Sequence, residues 1–394
     1  MNGDETFIEI ECSQSIKTGE SVCGDAFKTV RLDDENRHIA VLSDGLGSGI
    51  KACLLASMTT TMALEFIRKN MDVLPSAEII MDTLPVCELR KISYATFSIF
   101  DILSGGKVRV IEMDNPKFIH LRNGKDVQWE AKTMVSEKWP DRKLGVTEFK
   151  AIAGDRIICF SDGVSQAGLG SPENKFGWRR DGALKFIQDV IAKEPSVSAR
   201  ELARKITVEA RSKNPEYKYL DDTSCMVIYF RKPRKLQLLT GPPFNEENDK
   251  IFAKRVLSYE GKTVLCGGTT ANIISRELNR KITTNLKLIR ISGNLPPPSQ
   301  MDGVDLITEG ILTLTEVCRA LEAGKLYDLP LAASELTNML MNSDVIDLIV
   351  GTKVNEAHQD PNLPVDLEIR RNIVKKIKYI LEQKYRKLVT IKYY

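Results

Sequence analysis

Residues 37–49 of the chain read RHIAVLSDGLGSG, an apolar run that ends in Ser-Asp-Gly. The same arrangement returns at 156–164, where RIICFSDGV again carries an apolar run into Ser-Asp-Gly. Short apolar runs of this kind are typical of buried strands, and catalytic groups are commonly presented beside the turns where strands end. The two triplets therefore predict that Asp44 and Asp162 lie at the ends of two buried strands.

Two further acidic positions share this context. Asp25 lies in CGDAF, and Asp221 lies in LDDTSCMVIYF, just before another apolar run. A single Asp-Gly is usually only a turn, but four such positions in one region are a more specific signal. Two hard divalent cations would offset the repulsion among the carboxylates, supply a nucleophilic water and neutralise a phosphate ester. Mg²⁺ and Mn²⁺ prefer oxygen ligands, and Gly45 would let a backbone carbonyl turn towards such an ion.

The segments around these positions predict a mixture of strands and helices. Apolar residues recur at helical spacing over 52–67, which predicts a long helix. Strands are predicted at 94–102 and 107–114, because these runs flank a Ser-Gly-Gly turn typical of a hairpin. The apolar run at 224–230 predicts a closing strand. Strands therefore precede and follow a helical stretch in the first part of the chain.

Length and composition narrow the classes of protein. The chain has 394 residues, which favours two domains, and its net charge of +3 gives no reason to expect a nucleic-acid partner. Eight cysteines contain no C-x-x-C pair, and three histidines leave little room for histidine chemistry. No apolar stretch approaches the roughly 20 residues that span a bilayer, and the acidic start lacks the layout of a secretory signal. We therefore expect a cytoplasmic protein without a transmembrane segment.

Four motifs occur in a set order: GDAF, VLSDGLGSGIKA, RIICFSDGV and DDTSCMVIYF. In this order they resemble the PPM/PP2C family of phosphatases, and most closely its bacterial SpoIIE-type branch, over about residues 5–231. The resemblance implies an α+β fold, an αββα sandwich of two face-to-face sheets with helices outside. It also implies two Mn²⁺ or Mg²⁺ ions and a phosphoserine or phosphothreonine protein as substrate. In this branch the implied partner is a phosphorylated anti-sigma-factor antagonist or a similar small regulator.

The resemblance also implies roles for individual residues. Asp44 matches the aspartate that bridges the two metals, and Gly45 matches the residue whose carbonyl binds one of them. Asp162 and Asp221 match the ligands of the other metal. Asp25 matches an acidic residue that holds a metal-bound water. The scheme uses a metal-activated water as nucleophile and forms no phosphoenzyme, which suits a chain with few histidines.

Three positions fit the resemblance less closely. Asp222 is an accessory candidate, since the family often has Asn or Asp there. Lys17 is the nearest basic candidate for the substrate phosphate, because the arginine of the eukaryotic branch has no clear match. The family often has Gly-Asn-Pro in its middle strands, where this chain has Asp114, Asn115 and Pro116. This aspartate is either a local turn choice or a change in a neighbouring contact.

The rest of the chain matches no family motif that we can name. Its prolines and glycine predict a linker at 233–245, after a phosphatase domain over 1–232. Strands and helices alternate over 246–394, which predicts a smaller α/β domain with a largely parallel sheet for regulation, ligand binding or docking. A strand is predicted at 286–291, and the domain is predicted to end in a long helix near 365–388.

A Gly-Gly-Thr-Thr segment lies between a predicted strand and a predicted helix of this second domain. Its residues, Gly267, Gly268, Thr269 and Thr270, would hold an anion if the strand end and helix N-terminus form a ligand site. The alternative is that they are ordinary turn and capping residues.

Two other functions remain open from the sequence. One is a regulatory or binding module that has the phosphatase fold but whose function lies in the second domain. The other is a two-metal phosphohydrolase acting on a nucleotide or another small phosphoester. The sequence does not fix the oligomeric state, and a dimer is compatible with it.

Overall fold

The computed structural model describes residues 6–84, 95–285, 287–288, 292–353 and 363–394. The chain divides into two units, Met1–Lys232 and Pro233–Tyr394. Each unit has its own sheets and its own buried core. The two units are therefore described separately.

The described part of the first unit contains two antiparallel sheets flanked by helices. Its strands are β1 (Phe7–Ser15), β2 (Asp25–Leu32), β3 (Arg37–Gly45), β4 (Ala95–Ile102), β5 (Lys107–Met113), β6 (Ile119–Arg122), β7 (Lys125–Asp126), β8 (Lys132–Val135), β9 (Lys143–Lys150), β10 (Arg156–Phe160) and β11 (Thr223–Arg231). Its helices are α1 (Gly49–Arg68), α2 (Val73–Thr83), α3 (Asp162–Ser165), α4 (Arg179–Lys193) and α5 (Ala199–Lys213). The predicted hairpin is confirmed as β4 and β5, which pair in antiparallel register.

The two strands that lead into the Ser-Asp-Gly triplets lie in different sheets. One sheet has the order β1-β11-β10-β6-β7, and the other has the order β2-β3-β4-β5-β9-β8. Helices α1 and α2 pack with the second of these sheets, whereas α3 and α5 pack with the first. Asp44 therefore ends a strand of one sheet, and Asp162 follows a strand of the other.

Side-chain alternation along the strands explains the layers. In β3, Ile39 and Val41 join the apolar core beneath α1 and α2, while Ala40 and Leu42 join the core between the two sheets. Successive side chains of a strand point to opposite faces, so a strand that is apolar at every position must be covered on both sides. The same holds for β10 and β11. The predicted αββα sandwich is confirmed.

Helix α1 is long and apolar, and it packs on the sheet that carries Asp44. Among the described residues it is the one helix that meets the length and hydropathy criteria of a membrane span, which the sequence analysis did not anticipate. Its buried residues include Ala56, Ala63 and Ile67, and the helix contacts β2, β3 and β4. A core helix meets the same criteria as a membrane span, so this finding alone is weak evidence for a membrane segment.

The described part of the second unit is built on one mixed sheet. Its strands are β12 (Lys235–Thr240), β13 (Lys262–Cys266), β14 (Thr283–Thr284), β15 (Ser299–Met301), β16 (Val304–Thr308), β17 (Val345–Val350) and β18 (Leu388–Tyr393). Its helices are α6 (Asp249–Ser258), α7 (Gly268–Leu278), α8 (Ile311–Ala323), α9 (Leu331–Met341) and α10 (Leu363–Gln383). The sheet order is β14-β15-β16-β13-β12-β17-β18, and the five strands from β16 to β18 are parallel. The predicted α/β fold with a largely parallel sheet is confirmed.

Both faces of this parallel sheet are covered by helices. Residues Leu236 and Leu238 of β12 belong to the core that includes α8, α9 and α10. Leu239, which points to the other face, belongs to the core that includes α6 and α7. A sheet buried on both faces requires near-continuous apolar strands, and β12, β13 and β17 satisfy this requirement.

Two sequence predictions for this unit are wrong. The segment 233–245 is not a linker, because Lys235–Thr240 is β12, the strand between β13 and β17. The last helix ends at Gln383 rather than near 388, and Leu388–Tyr393 forms the edge strand β18. Both errors arose from flanking prolines or basic residues, which hid short strands whose partners lie far away in sequence. Most of the strand predicted at 286–291 lies outside the described residues.

A buried ion pair between β3 and β4 also contacts the C-terminal end of α1. The Arg37 side chain is 2% exposed, and its Nε donates to Asp101 Oδ1 at 2.7 Å. Its Nη2 donates to Asp101 Oδ2 at 3.0 Å and to the Ile67 carbonyl at 3.0 Å. Arg109, which is 30% exposed, adds a contact of 2.8 Å to the same carboxylate. Removing Asp101 would therefore leave a buried guanidinium without its main counter-charge.

We expect Asp101→Ala to lower the free energy of unfolding of the first unit by about 3–5 kcal/mol, since it breaks a buried pair from one side. The matched change Arg109→Ala removes a half-exposed partner and should cost about 1 kcal/mol or less. Urea unfolding followed by tryptophan fluorescence measures this, because all three tryptophans, Trp129, Trp139 and Trp178, lie in the first unit. Equal losses of unfolding free energy in the two variants would contradict the role of Asp101 as the main counter-charge of Arg37.

Candidate active site

Antiparallel pairing brings the first two aspartates side by side. Strands β2 and β3 pair so that Asp25 is the direct partner of Asp44. Directly opposed residues of an antiparallel pair have Cβ atoms about 5 Å apart. Asp25 is buried and Asp44 is half-buried. One edge of this sheet thus presents two neighbouring carboxylates.

The other sheet presents its carboxylates at the junction between β10 and β11. Asp162 is the first residue of α3 and is separated from β10 by Ser161, while Asp221 and Asp222 directly precede β11. These two strands are antiparallel neighbours, so the end of one and the start of the other lie at the same edge. The Ser161 N–H donates to the Ser224 carbonyl at 3.0 Å and closes this edge. The three aspartates are therefore held next to one another.

Ser161 connects the two sheets at the site. Its hydroxyl donates to Asp25 Oδ2 at 2.8 Å and accepts the Ser224 N–H at 3.0 Å. The hydrogen bond from Ser161 therefore links the end of β10, next to Asp162, to Asp25 of the other sheet.

Burial and mutual repulsion raise the pKa values of these carboxyls. The pKa of Asp44 lies well above its usual range, first because of burial and then because of the charges of Asp25, Asp162 and Asp221. Burial is also the main cause of the raised pKa of Asp25, Asp162 and Asp221. Like charges in a partly desolvated site disfavour ionisation. A cation at this site would reverse that balance.

Two buried carboxylate oxygens of this group lack a hydrogen-bond donor. They are Asp25 Oδ1 and Asp222 Oδ2. The second oxygen of Asp222 accepts the Lys17 N–H at 3.0 Å, so the side chain is oriented while one acceptor is left over. Buried acceptors without a partner are costly. Hard cations prefer such oxygens, so the donor set fits Mg²⁺ or Mn²⁺.

The carboxylates do not enclose an ion by themselves. Within the described residues, no three His, Cys, Asp or Glu side chains are grouped tightly enough to hold a metal. An ion at this edge would need additional oxygen ligands from backbone carbonyls or water, and Mg²⁺ usually keeps several waters. The carbonyl of Gly45, which directly follows Asp44 at the end of β3, is a candidate for such a ligand.

Two glycines are required by close approach of the backbone. A Cβ atom on Gly45 would lie 2.0 Å from the Ala52 carbonyl oxygen in α1. A Cβ atom on Gly163 would lie 2.1 Å from the Asp222 carbonyl oxygen. Each glycine follows a site aspartate in a Ser-Asp-Gly triplet. The glycines therefore let the site aspartates lie directly against the neighbouring backbone.

Several residues at the edge of the site are solvent-accessible or were not predicted. Lys17 Nζ is 4.0 Å from Asp221 Oδ1, and the two side chains are 37% and 45% exposed. Gln166 Nε2 donates to Asp162 Oδ2 at 2.8 Å. Neither Gln166 nor Ser161 was singled out by the sequence analysis. The sequence did hold a signal for Ser161, because a serine recurs in both Ser-Asp-Gly triplets. In the structure, Ser43 of the other triplet is also fully buried and donates to a backbone carbonyl.

The aspartate in Asp-Asn-Pro is explained by its backbone. Asp114 has φ of +58°, a left-handed conformation that glycine adopts freely and that Asp and Asn tolerate better than most residues. The following Asn115 donates from Nδ2 to Ser98 Oγ at 3.1 Å and also contacts Thr96 Oγ1. Asp114 Oδ2 also accepts from Arg142 Nη1 at 3.3 Å. Both alternatives therefore apply, since the aspartate suits the turn and also makes a contact that glycine lacks.

Comparison with known families identifies the first unit. The family model described as Stage II sporulation protein E (SpoIIE) matches residues 34–231, half of the chain. The chain belongs to the SpoIIE family. The matched SpoIIE domain is a PP2C-type phosphatase domain, and it contains Asp44, Asp162 and Asp221. Asp25 precedes the matched region.

Solved structures related to SpoIIE share low sequence identity with this chain. The phosphatase domain of the cell fate determinant SpoIIE from Bacillus subtilis is 17% identical, with a TM-score of 0.44, and the match covers 59% of this chain and 95% of that one. A SpoIIE structure with a fragment of its regulatory domain is 18% identical, with a TM-score of 0.47 and coverages of 57% and 62%. RsbX in complex with magnesium is 19% identical, with a TM-score of 0.39 and coverages of 58% and 98%. None of the curated proteins matches the chain.

We expect Gly45→Ala to destabilise the first unit by about 1–3 kcal/mol, because the added methyl group collides with the backbone of α1. Gly145→Ala in β9 is the matched control. A Cβ atom there would meet its nearest neighbour at 3.5 Å, an ordinary contact. Urea unfolding monitored by tryptophan fluorescence compares the two. A Gly45→Ala protein as stable as Gly145→Ala would show that α1 does not pack tightly against the strand end.

Proposed function

We propose that the first unit is a metal-dependent serine/threonine protein phosphatase that acts on a bacterial regulatory phosphoprotein. The observation that carries this proposal is the meeting of Asp25 and Asp44 from one sheet with Asp162 and Asp221 from the other. Such a set suits phosphate ester hydrolysis, which needs a water nucleophile and neutralisation of negative charge. The complete set of carboxylates also argues against a scaffold that has lost its activity.

The proposed ligand roles follow the positions of the residues. Asp44 would bridge two ions, the Gly45 carbonyl would bind one of them, and Asp162 and Asp221 would bind the other. Two Mn²⁺ or Mg²⁺ ions held there would lower the pKa of a water molecule and neutralise the phosphoryl oxygens. Asp25 would accept a hydrogen bond from that water through Oδ1, since Ser161 already occupies its other oxygen.

The accessory residues would orient the ligands and meet the substrate. The Lys17 N–H fixes the carboxylate of Asp222, whose free oxygen would accept from a water of the site. The Lys17 ammonium lies beside Asp221 at a partly exposed edge, where it would attract the phosphate of an incoming substrate. This accessible edge suits a phosphoserine or phosphothreonine presented on a protein surface.

The substrate would be a small phosphorylated regulator, similar to the anti-sigma-factor antagonists of the SpoIIE-type branch. A cytoplasmic location and the absence of a nucleic-acid partner remain predictions from the sequence. A two-metal phosphohydrolase acting on a small phosphoester is the competing function, and the carboxylate set alone fits both. Comparing a phosphoserine peptide with a panel of nucleotides separates the two.

We expect the purified chain to hydrolyse p-nitrophenyl phosphate with Mn²⁺ and to lose this activity in EDTA. Asp44→Asn should lower the rate by about 100-fold or more, because it removes the proposed shared ligand. Asp141→Asn, which changes an exposed aspartate of the same unit, is the matched control and should keep its activity. Full activity of Asp44→Asn would refute the proposed site.

A further inference from the structure

The second unit has a cavity at the carboxyl ends of its parallel strands. Its volume is about 530 Å³, and the segments that follow β12, β13 and β16 line it. Ligands of open α/β sheets bind outside the carboxyl ends of the strands, and small-molecule pockets usually have volumes of about 300–1,000 Å³. The cavity therefore has the position and the size of a small-molecule site.

The point where the strand order reverses is itself closed by backbone. The order β16-β13-β12-β17-β18 reverses between β12 and β17. There, the Gly351 N–H donates to the Thr240 carbonyl at 2.9 Å, and the Lys353 N–H donates to the Pro242 carbonyl at 3.1 Å. A Cβ atom on Gly351 would lie 2.1 Å from the Pro242 oxygen. The open space is consequently displaced towards β13 and β16.

The N-terminus of helix α7 lies at one end of the cavity. It starts at Gly268, directly after β13, and no side chain caps its N-terminus. The preceding Gly267 has φ of +129°, a conformation that side chains rarely allow. The first N–H groups of a helix lack intrahelical acceptors, and its dipole favours a negative charge there.

An independent feature beside this helix end also calls for a ligand. Thr270 lines the cavity and is 1% exposed, yet its hydroxyl has no hydrogen-bond partner. The hydroxyl lies alongside Gly267, because a Cβ atom on that glycine would be 3.5 Å from Thr270 Oγ1. An unpaired buried hydroxyl is costly. An acceptor atom bound over the start of α7 would satisfy it.

The charged groups around the cavity favour an anion. Arg370 and Lys353 both line it. Cys266 contributes no charge, because burial raises the pKa of its thiol to about 12. The acidic Glu309 also lines the cavity, but its Oε2 accepts the Leu312 N–H at 3.2 Å and so serves the start of α8. Two positively charged side chains and one negatively charged side chain therefore line the cavity.

Part of the remaining lining is apolar. Ile282, Pro296 and Ile311 contribute to it. A bare inorganic ion would leave these side chains and most of the cavity unused. A ligand that combines an anionic group with a larger, less polar part would use both regions.

We propose that the second unit binds a small phosphorylated metabolite of about mononucleotide size. Its phosphate would lie at the N-terminus of α7, accept from the Thr270 hydroxyl and be neutralised by Arg370 and Lys353. Its less polar part would contact Ile282 and Pro296. This site is independent of the proposed phosphatase site, and its ligand would be bound rather than hydrolysed there.

Isothermal titration calorimetry on the full chain in EDTA tests this proposal, since EDTA removes phosphate binding that depends on metal in the first unit. The probes are AMP, ribose 5-phosphate, inorganic phosphate and adenosine. We expect AMP to bind saturably and at least about tenfold more tightly than adenosine, because adenosine lacks the anion. Adenosine binding as tightly as AMP, or no saturable binding of any probe, would overturn the proposal.

A pair of substitutions at Gly268 localises the site. A Cβ atom at Gly268 meets nothing within 4 Å, so both Gly268→Ala and Gly268→Asp should fold. Gly268→Ala adds only a neutral methyl group at the proposed phosphate position and should weaken AMP binding much less than Gly268→Asp does. Gly268→Asp places a carboxylate where the phosphate would lie and should weaken AMP binding by about tenfold or more, although an acid in the first turn suits the helix. Equal affinities of the two variants would place the ligand elsewhere and overturn the proposal.

A second pair tests the threonine hydroxyl. Thr270→Val should weaken AMP binding by about five- to tenfold, since it deletes one donor to the phosphate. Thr313→Val deletes the corresponding type of buried, unpartnered hydroxyl in the first turn of α8 and should leave the affinity unchanged. Equal affinities of these two variants would contradict the assigned position of the phosphate.

Discussion

The proximity of negative carboxylates at the junction of two sheets is the constraint on which the first unit depends. Two like charges about 4 Å apart repel by about 4 kcal/mol at an effective dielectric constant of about 20. The raised pKa of Asp44, caused by burial and by three neighbouring aspartates, expresses this repulsion. The fold opposes it with strands that are buried on both faces and with the Ser161 bridge between the sheets. The packed core holds in place a group that electrostatics alone would separate.

Sequence patterns predicted the parts of this arrangement that are local. The apolar runs before Asp44 and Asp162 are buried strands, and both aspartates lie at the strand ends as expected. Which partner each aspartate has depends on the pairing of strands far apart in the chain, such as Asp25 opposite Asp44. The role of Ser161 depends on the contact between sheets. Neither is encoded in spacing, so the family resemblance, rather than the residues alone, suggested the assembled site.

The second unit shows where local patterns fail. Its central strand β12 lies between Pro233 and the Gly241-Pro242-Pro243 segment, which led to the prediction of a linker. Its polar residue Gln237 is fully buried and donates from Nε2 to Thr263 Oγ1 at 2.9 Å. The residues that justify a strand here are its neighbours in β13 and β17, which lie at least about 20 residues away, beyond the window over which periodicity is read. Parallel pairing hides such strands because each partner is separated by a helix.

In each unit, a proposed ligand site lies where an apolar strand ends beside glycine. The two sites differ in the charge of the ligand that they would favour. In the first unit, an apolar strand ends in Asp44 and Gly45, so that carboxylates collect at the strand ends and favour cations. In the second unit, two glycines and no acidic side chain follow the apolar strand β13, so that the helix N-terminus itself lies at the strand end and favours anions. Gly45 allows α1 to approach the strand end closely, and Gly267, with φ of +129°, allows the backbone to turn into α7. If both proposed sites are correct, the residue placed beside the glycine would decide the charge of the ligand that each strand end accepts.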